Sequence, residues 1–211
     1  MKPLKALILG ILLLVPILIF IFISIFGTHH FSLKTYYPKL DDAGGVVYNA
    51  AGDTVFQQMP YFELKSSVGE SITQTDLDSN LYVASYFSLP CADSCQKVFS
   101  QLVRVQEVFA NNPELKIVSI AVNATPDTLQ VLDGLSQKFS VKDKSWYLLS
   151  GDEAAIQNAT KIPSDSITSQ RLLLVDKQKH IRGVYDGTNT EDVDRLILEI
   201  NVLLDEYSKR K

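Results

Sequence analysis

The sequence predicts an α/β protein in which a central mixed sheet is flanked by helices, and three observations carry that prediction. Two unbroken apolar runs, "LYVASYFS" from Leu81 and "LKIVSIAV" from Leu115, have the length and composition of strands buried on both faces. The first is followed by a segment whose apolar residues recur at helical spacing, and the second by the start signals of a helix. The last part of the chain then reads as a hairpin, "RLLLVDKQKHIRGVYDG", and a closing amphipathic helix. Strands and helices in this order need both faces of one sheet covered, which is the α/β arrangement.

The first element in the chain is of a different kind. From Ala6 to Phe26 there is no charged residue. At ~1.5 Å per residue this run makes a helix about 30 Å long, enough to cross the hydrocarbon core of a bilayer. No small-x-small cleavage site follows in "FISIFGTHHF", so the run reads as an uncleaved transmembrane anchor rather than a removed signal. Lys2 and Lys5 precede it and the whole polar part follows it. The positive-inside rule then keeps the N-terminus in the cytoplasm and puts the domain outside it, where disulfides persist. The expected organisation is an anchor over 1–27, a juxtamembrane segment over 28–60 and one compact domain over 61–208.

In the juxtamembrane segment "DDAGG" and "AAGD" are turn signals around short strand-like runs such as "GVVYNA". From Tyr61 the chain reads as a strand at "YFEL", a helical turn near "TQTDLDS" and the first buried strand. A helix follows from about Ser94 to Asn111, with Val98, Leu102, Val105, Val108 and Phe109 on one stripe and "NNP" as its stop. After the second buried strand, Thr125, Pro126 and Asp127 supply a cap, a first-turn proline and a dipole-favouring acid to a helix over Pro126–Phe139. "SWYLLS" is a short strand and "DEAAIQNAT" a short helix. After the hairpin, Thr188 to Thr190 cap the last helix, Glu191 to Tyr207.

Charge and motifs exclude several functions. The formal net charge is −4, and the part beyond the anchor is two units more negative because Lys2 and Lys5 lie before it. With no basic, aromatic-studded stretch, nucleic acid is not an expected partner. GxSxG, HExxH and a Gly-rich phosphate loop are all missing from the sequence, so hydrolase chemistry finds no support.

The chemistry-bearing feature is "FSLPCADSC", which holds both cysteines, Cys91 and Cys95, between the first buried strand and its helix. A helix N-terminus carries unpaired N–H groups and partial positive charge, which favours thiolate over thiol. The placement suits attack on another disulfide, and it equally suits holding a soft ion such as Cu(I) through two sulfurs. A third reading is a plain crosslink, but so small a loop removes little unfolded-state entropy. The remaining soft or imidazole ligands have structural readings: His29 and His30 sit at the membrane exit, His180 is a half-exposed strand residue, and Met59 is packing.

The run "LYVASYFSLPCADSC", followed by "IVSIAVNATPDTLQVL", "WYLLSGD", "LLLVDKQKHIRGVYDGT" and "LILEINVLLDE", resembles the Sco/SenC family of membrane-anchored, thioredoxin-like proteins over most of residues 61–206. The resemblance implies a thioredoxin-like fold and work on the copper centre of cytochrome c oxidase, with the copper-binding subunit of the oxidase as partner. Cys91 and Cys95 would be both the redox-active and the copper-binding thiols. The family's third copper ligand, a histidine, falls at Thr168 in "SITSQRLLLVD". Ala92 and Gln96 stand where prolines are common, and Asn123 where an aspartate is usual, while Asp127 fits. Cu(I) is satisfied by two thiolates whereas Cu(II) calls for imidazole nitrogen, so a thiol–disulfide reductant or Cu(I) carrier is expected. The alternatives are a general membrane-tethered thiol–disulfide oxidoreductase and a docking protein with a silent disulfide. A peroxiredoxin would need proline at position 84 and threonine at 88, where the chain has Ala84 and Ser88.

Overall fold

The computed structural model describes residues 12–22, 32–123, 125, 127–162 and 168–209. Two units are distinct, Met1–Phe31 and Ser32–Lys211. In the first, residues 12–22 are helical (α1) and their apolar side chains are exposed. Among the described residues no helix is long and apolar enough to cross a membrane. The rest of the Ala6–Phe26 run read as an anchor, and His29 and His30, lie outside them.

The second unit is built on a seven-stranded mixed sheet in the order β2-β1-β5-β4-β3-β6-β7. In chain order the elements are β1 (Glu63–Ser66), β2 (Ser71–Thr73), a 3₁₀ turn (Gln74–Leu77), β3 (Leu81–Phe87), α2 (Asp93–Val108), β4 (Leu115–Ala121) and α3 (Thr128–Lys138). They continue with β5 (Trp146–Ser150), α4 (Glu153–Ala159), β6 (Arg171–Val175), β7 (Ile181–Asp186) and α5 (Thr190–Lys209). Strands β3, β4 and β5 run parallel, whereas β6 is antiparallel to β3 and β1 to β5.

The alternation of side chains across these strands separates two cores. Leu81, Val83 and Phe87 of β3 lie with Ile117, Leu148, Leu172 and Leu174 under α2, α3 and α5. Tyr82, Ala84 and Tyr86 face the other way, with Val118, Ile120, Leu149 and Leu173, under α4 and the chain around Met59 and Phe62. Every residue of β3 is buried, which is why its sequence is apolar without alternation. On the α2 side Ser85 and Ser119 interrupt the apolar layer and satisfy each other at 2.7 Å, with Trp146 Nε1 donating to Ser119 Oγ at 3.0 Å. Each polar atom there has a partner, as burial requires.

The segment expected to be a connector contributes to this unit from Ser32 onward. Its turns form as read, with Asp41 Oδ1 accepting from the Ala43 and Gly45 amides and Asn49 Oδ1 from those of Ala51 and Asp53. Beyond the turns, Tyr36 N donates to Ile181 O, Met59 N donates to Lys179 O, and Gln58 bridges His180. The reason is an irregularity in β7: between Leu174 and Val175 the β6–β7 register shifts, so that Arg182 is skipped. A bulge re-aims the extra side chain. Arg182, 8% exposed, reaches Asp176 Oδ2 at 3.0 Å and the carbonyls of Leu33 and Lys34 at 2.6 and 3.3 Å. A buried guanidinium demands such acceptors, and the sequence pattern alone does not reveal that distant carbonyls supply them.

Helix starts differ in detail from expectation. Helix α3 begins at Thr128, whose hydroxyl oxygen accepts from Thr125 N at 2.6 Å, while Pro126 lies outside the described residues. Within the stretch 188–190 read as the cap of the last helix, Asn189 supplies the acceptor for α5, taking the amides of Glu191 and Asp192.

Candidate functional site

The carboxyl ends of the parallel strands β3 and β4 lie at one end of the sheet, and the chain leaving β3 there carries the cysteines. Cys91 precedes Ala92, the N-cap of α2, and Cys95 is in the first turn. The two form a disulfide with their Cα atoms 5.3 Å apart. Cys95 is 3% exposed and belongs to the core under α2, whereas Cys91 is half-buried and packs on its rim. The α2 N-terminus has no side-chain cap. Its first-turn N–H groups are therefore left to face whatever sits at the cysteines, which favours a thiolate there once the disulfide opens.

Three side chains hold the loop. The Asn123 carboxamide, at the end of β4, accepts from Leu89 N and donates to Leu89 O, both at 2.6 Å. A carboxylate could make only the first of these bonds, so Asn at this position matches the backbone group it meets. Gln96, one residue after Cys95, donates from Nε2 to the Cys91 carbonyl at 3.2 Å, and Lys138 at the end of α3 donates to Gln96 Oε1 at 2.9 Å. Sequence reasoning singled out Asn123 and Gln96 only as departures from a pattern and missed Lys138. A long-range contact between the ends of two helices leaves no periodic signal.

Thr168 is exposed in the turn before β6, its carbonyl accepting from Arg171 N at 3.1 Å. Continuing the register in which Ser85 faces Leu172 brings this turn to the same end of the sheet as the cysteine loop. Gly187 fixes that corner: a Cβ there would meet Val98 and the Gln170 carbonyl at 3.1 Å. The topology thus brings position 168 to the cysteine end, and the residue it brings is a threonine.

His180 goes elsewhere. The β6–β7 turn is at the opposite end of the sheet, where Asp176 Oδ1 accepts from His180 N at 2.9 Å and the imidazole meets Phe56 edge-on. Met59, 5% exposed, is packed in the second core. Among the described residues no group of three or more His, Cys, Asp or Glu side chains could hold a metal ion. The reduced cysteine pair is left as a two-sulfur donor set, which fits a soft monovalent ion.

Tyr185 and Asp186, at the end of β7, have structural roles. Asp186 Oδ1 accepts from Thr188 N and Oγ1, closing the turn into α5. The Tyr185 hydroxyl donates to Glu199, and Arg195 lies 4.4 Å from its ring centroid. Burial pushes the Tyr185 phenol far up, with the neighbouring Glu199 adding to the shift.

The model of the SCO1/SenC family matches residues 51–203. Among solved structures the chain is similar to a SCO1/SenC family lipoprotein from Bacillus anthracis str. Ames, at 19% identity and TM-score 0.61, covering 70% of this chain and 95% of that one. It is also similar to BsSco, a member of the Sco family of cytochrome c oxidase assembly proteins in which a disulfide switch was identified, at 16% identity and TM-score 0.60, covering 69% and 92%. A third is yeast Sco1 with copper bound, at 19% identity and TM-score 0.54, covering 69% and 94%. No curated protein sequence matches the chain. At these identities the structural likeness establishes the mixed α/β, thioredoxin-like fold.

Proposed function

The chain belongs to the SCO1/SenC family, and on that premise we propose that it is an assembly factor for the copper centre of cytochrome c oxidase, acting through Cys91 and Cys95. The observation that carries the reading is the disulfide joining a half-buried and a buried cysteine at the uncapped start of α2. As a reductant the pair works in two exchanges. The Cys91 thiolate, the more accessible, attacks one sulfur of a target disulfide and expels the other as a thiolate. The Cys95 thiolate then attacks Cys91 Sγ, releasing the second target thiolate and leaving the Cys91–Cys95 bond. Two electrons pass to the target, and a dithiol donor must return them before another cycle.

As cargo, copper belongs to the reduced form. Two thiolates suit Cu(I), and the copper-bound structure of yeast Sco1 supports copper handling in this family. Cu(II) would look for an imidazole where Thr168 stands. The membrane-anchored, periplasmic placement and the copper-binding oxidase subunit as target complete the proposal, supported by the uncharged run Ala6–Phe26 and by the oxidase-assembly role attached to BsSco.

The test is an anaerobic titration of the reduced full-length chain in detergent with Cu(I), against a competing Cu(I) chelator. The wild type is expected to bind one equivalent, Cys91→Ser to lose at least tenfold in affinity, and only Thr168→His to take Cu(II) tightly. If the wild type binds no Cu(I), the carrier role is discarded and the reductant role remains. Intact oxidase assembly with both cysteines changed to serine would remove both roles and leave the docking reading.

A further inference from the structure

We propose that Gln96, anchored by Lys138, is a positioning residue that holds Cys91 against α2 when the disulfide is open. The inference rests on the reading of Cys91 and Cys95 as a working dithiol, and it deepens that reading by naming what keeps the dithiol ready to close.

In the oxidised chain the S–S bond ties the loop to the helix. Reduction removes that tie, and the loop from Leu89 to Cys91 then depends on non-covalent contacts alone. Asn123 secures Leu89 from the β4 side. At Cys91 itself the hold is Gln96: its amide nitrogen reaches back to the Cys91 carbonyl at 3.2 Å. The Gln96 backbone is fixed in the first turns of α2, with its N–H donating to Ala92 O at 3.0 Å. Its side-chain oxygen accepts the Lys138 ammonium at 2.9 Å. A cation on the amide oxygen polarises the amide and strengthens its N–H as a donor. Lys138 also lies over the Phe139 ring, 5.4 Å from its centroid, so the ammonium is guided from two sides. The chain of contacts runs from the end of α3 through Gln96 to the peptide of Cys91. A proline at this position could offer neither bond, because its ring carries no hydrogen-bond donor or acceptor on the side chain.

Holding one thiol close to its partner raises the effective concentration for ring closure. Closure is followed against glutathione. The Cys91 and Cys95 thiols lose two protons and two electrons to one oxidised glutathione; the Cys91–Cys95 bond forms, the glutathione S–S bond breaks, and two glutathione thiols result.

The experiment measures this equilibrium constant for the full-length chain in detergent, with the oxidised fraction read by alkylation of free thiols. The variants are Gln96→Met, which keeps length and helix preference but makes neither bond, Gln96→Ala as a smaller counterpart, and Lys138→Met. Gln96→Met is expected to lower the constant about tenfold, which is about 30 mV toward a more oxidising couple. Lys138→Met is expected to lower it by less, since the Gln96 donor remains. A fall of less than threefold in Gln96→Met and Gln96→Ala overturns the proposal, as does a Lys138→Met effect as large as theirs. A silent disulfide would leave this equilibrium shift in place while oxidase assembly ignored loss of both cysteines, so the two readings fail in separate assays.

Discussion

At Asn123 a single side chain reads both polar groups of Leu89, and the exchange of aspartate for asparagine becomes intelligible only beside that backbone. Thr168 is the converse case. Its place in the sequence pointed to the cysteine end of the sheet, the strand register agrees, and its hydroxyl still cannot replace an imidazole toward Cu(II). Asp192 shows a charge with a definite stabilising task. Its Oδ2 accepts from Asp186 N at 2.8 Å, and Oδ1 pairs with Arg195 at 3.0 Å. The backbone bond from Asp186, helped by Arg195, holds its carboxyl below the usual carboxylate range. With the folded value depressed, the stabilisation is present above an unfolded value of about 3.9 and is lost as the pH falls through the folded one. Asp192→Asn is expected to cost about 0.5–1 kcal/mol at pH 7, kept small by the partial exposure of the pair, and the gap should close as the pH falls through the depressed folded value. Urea unfolding at pH 7, 4 and 2.5, followed by fluorescence of Trp146, measures it. A gap that stays constant with pH would show that the carboxylate is not linked to folding.

Among the elements, β7 carries most of what the sequence pattern concealed. Its bulge turns Arg182 inward, and the guanidinium joins Asp176 of the hairpin turn, Glu206 of α5 and the carbonyls of Leu33 and Lys34. The N-terminal segment is thereby stitched along the edge of the sheet, which also protects that edge from pairing with another chain. Below the Tyr185 ring, Gly183 is required because a Cβ would collide with the phenol. Removing one partner of a buried ion pair strands the other. Arg182→Met is therefore expected to cost about 3–5 kcal/mol and to release the segment around Leu33. Hydrogen exchange at Tyr36, whose N–H bonds Ile181 O, reports the release. Unchanged exchange there, with a loss under about 1 kcal/mol, would mean that the clamp is not what holds the segment.

At the scale of the whole molecule, one sheet with two apolar faces divides the stability between two cores, and the α2 face also carries the site. Leu174 is fully buried beneath α2 and α5, while Leu198 on α5 is 62% exposed. Leu174→Ala should cost about 2–5 kcal/mol by loss of contacts and cavity formation, and Leu198→Ala within about 0.5 kcal/mol. Thermal and urea unfolding of both variants compare them, and equal losses would contradict the assignment of faces. Apart from the three-residue β2, the strands, their order in the chain and the helices between them were legible because burial on two faces writes continuous apolar runs, and burial on one stripe writes helical spacing. The cysteine motif was legible for a related reason: two sulfurs at a strand-to-helix junction are a local feature of the chain. The membership of residues 32–60 in the compact unit, the bulge at Arg182 and the Lys138–Gln96–Cys91 contacts were not legible. Each depends on one polar group finding a partner far away in sequence, and hydrogen bonds at long separation leave no periodic trace. The sequence by itself determined the fold class and the chemistry available to the cysteine pair, since both follow from residue type and local spacing. Only the tertiary structure decided which side chains hold that pair in place, because distance between elements is set by packing of the two cores and not by the order of residues.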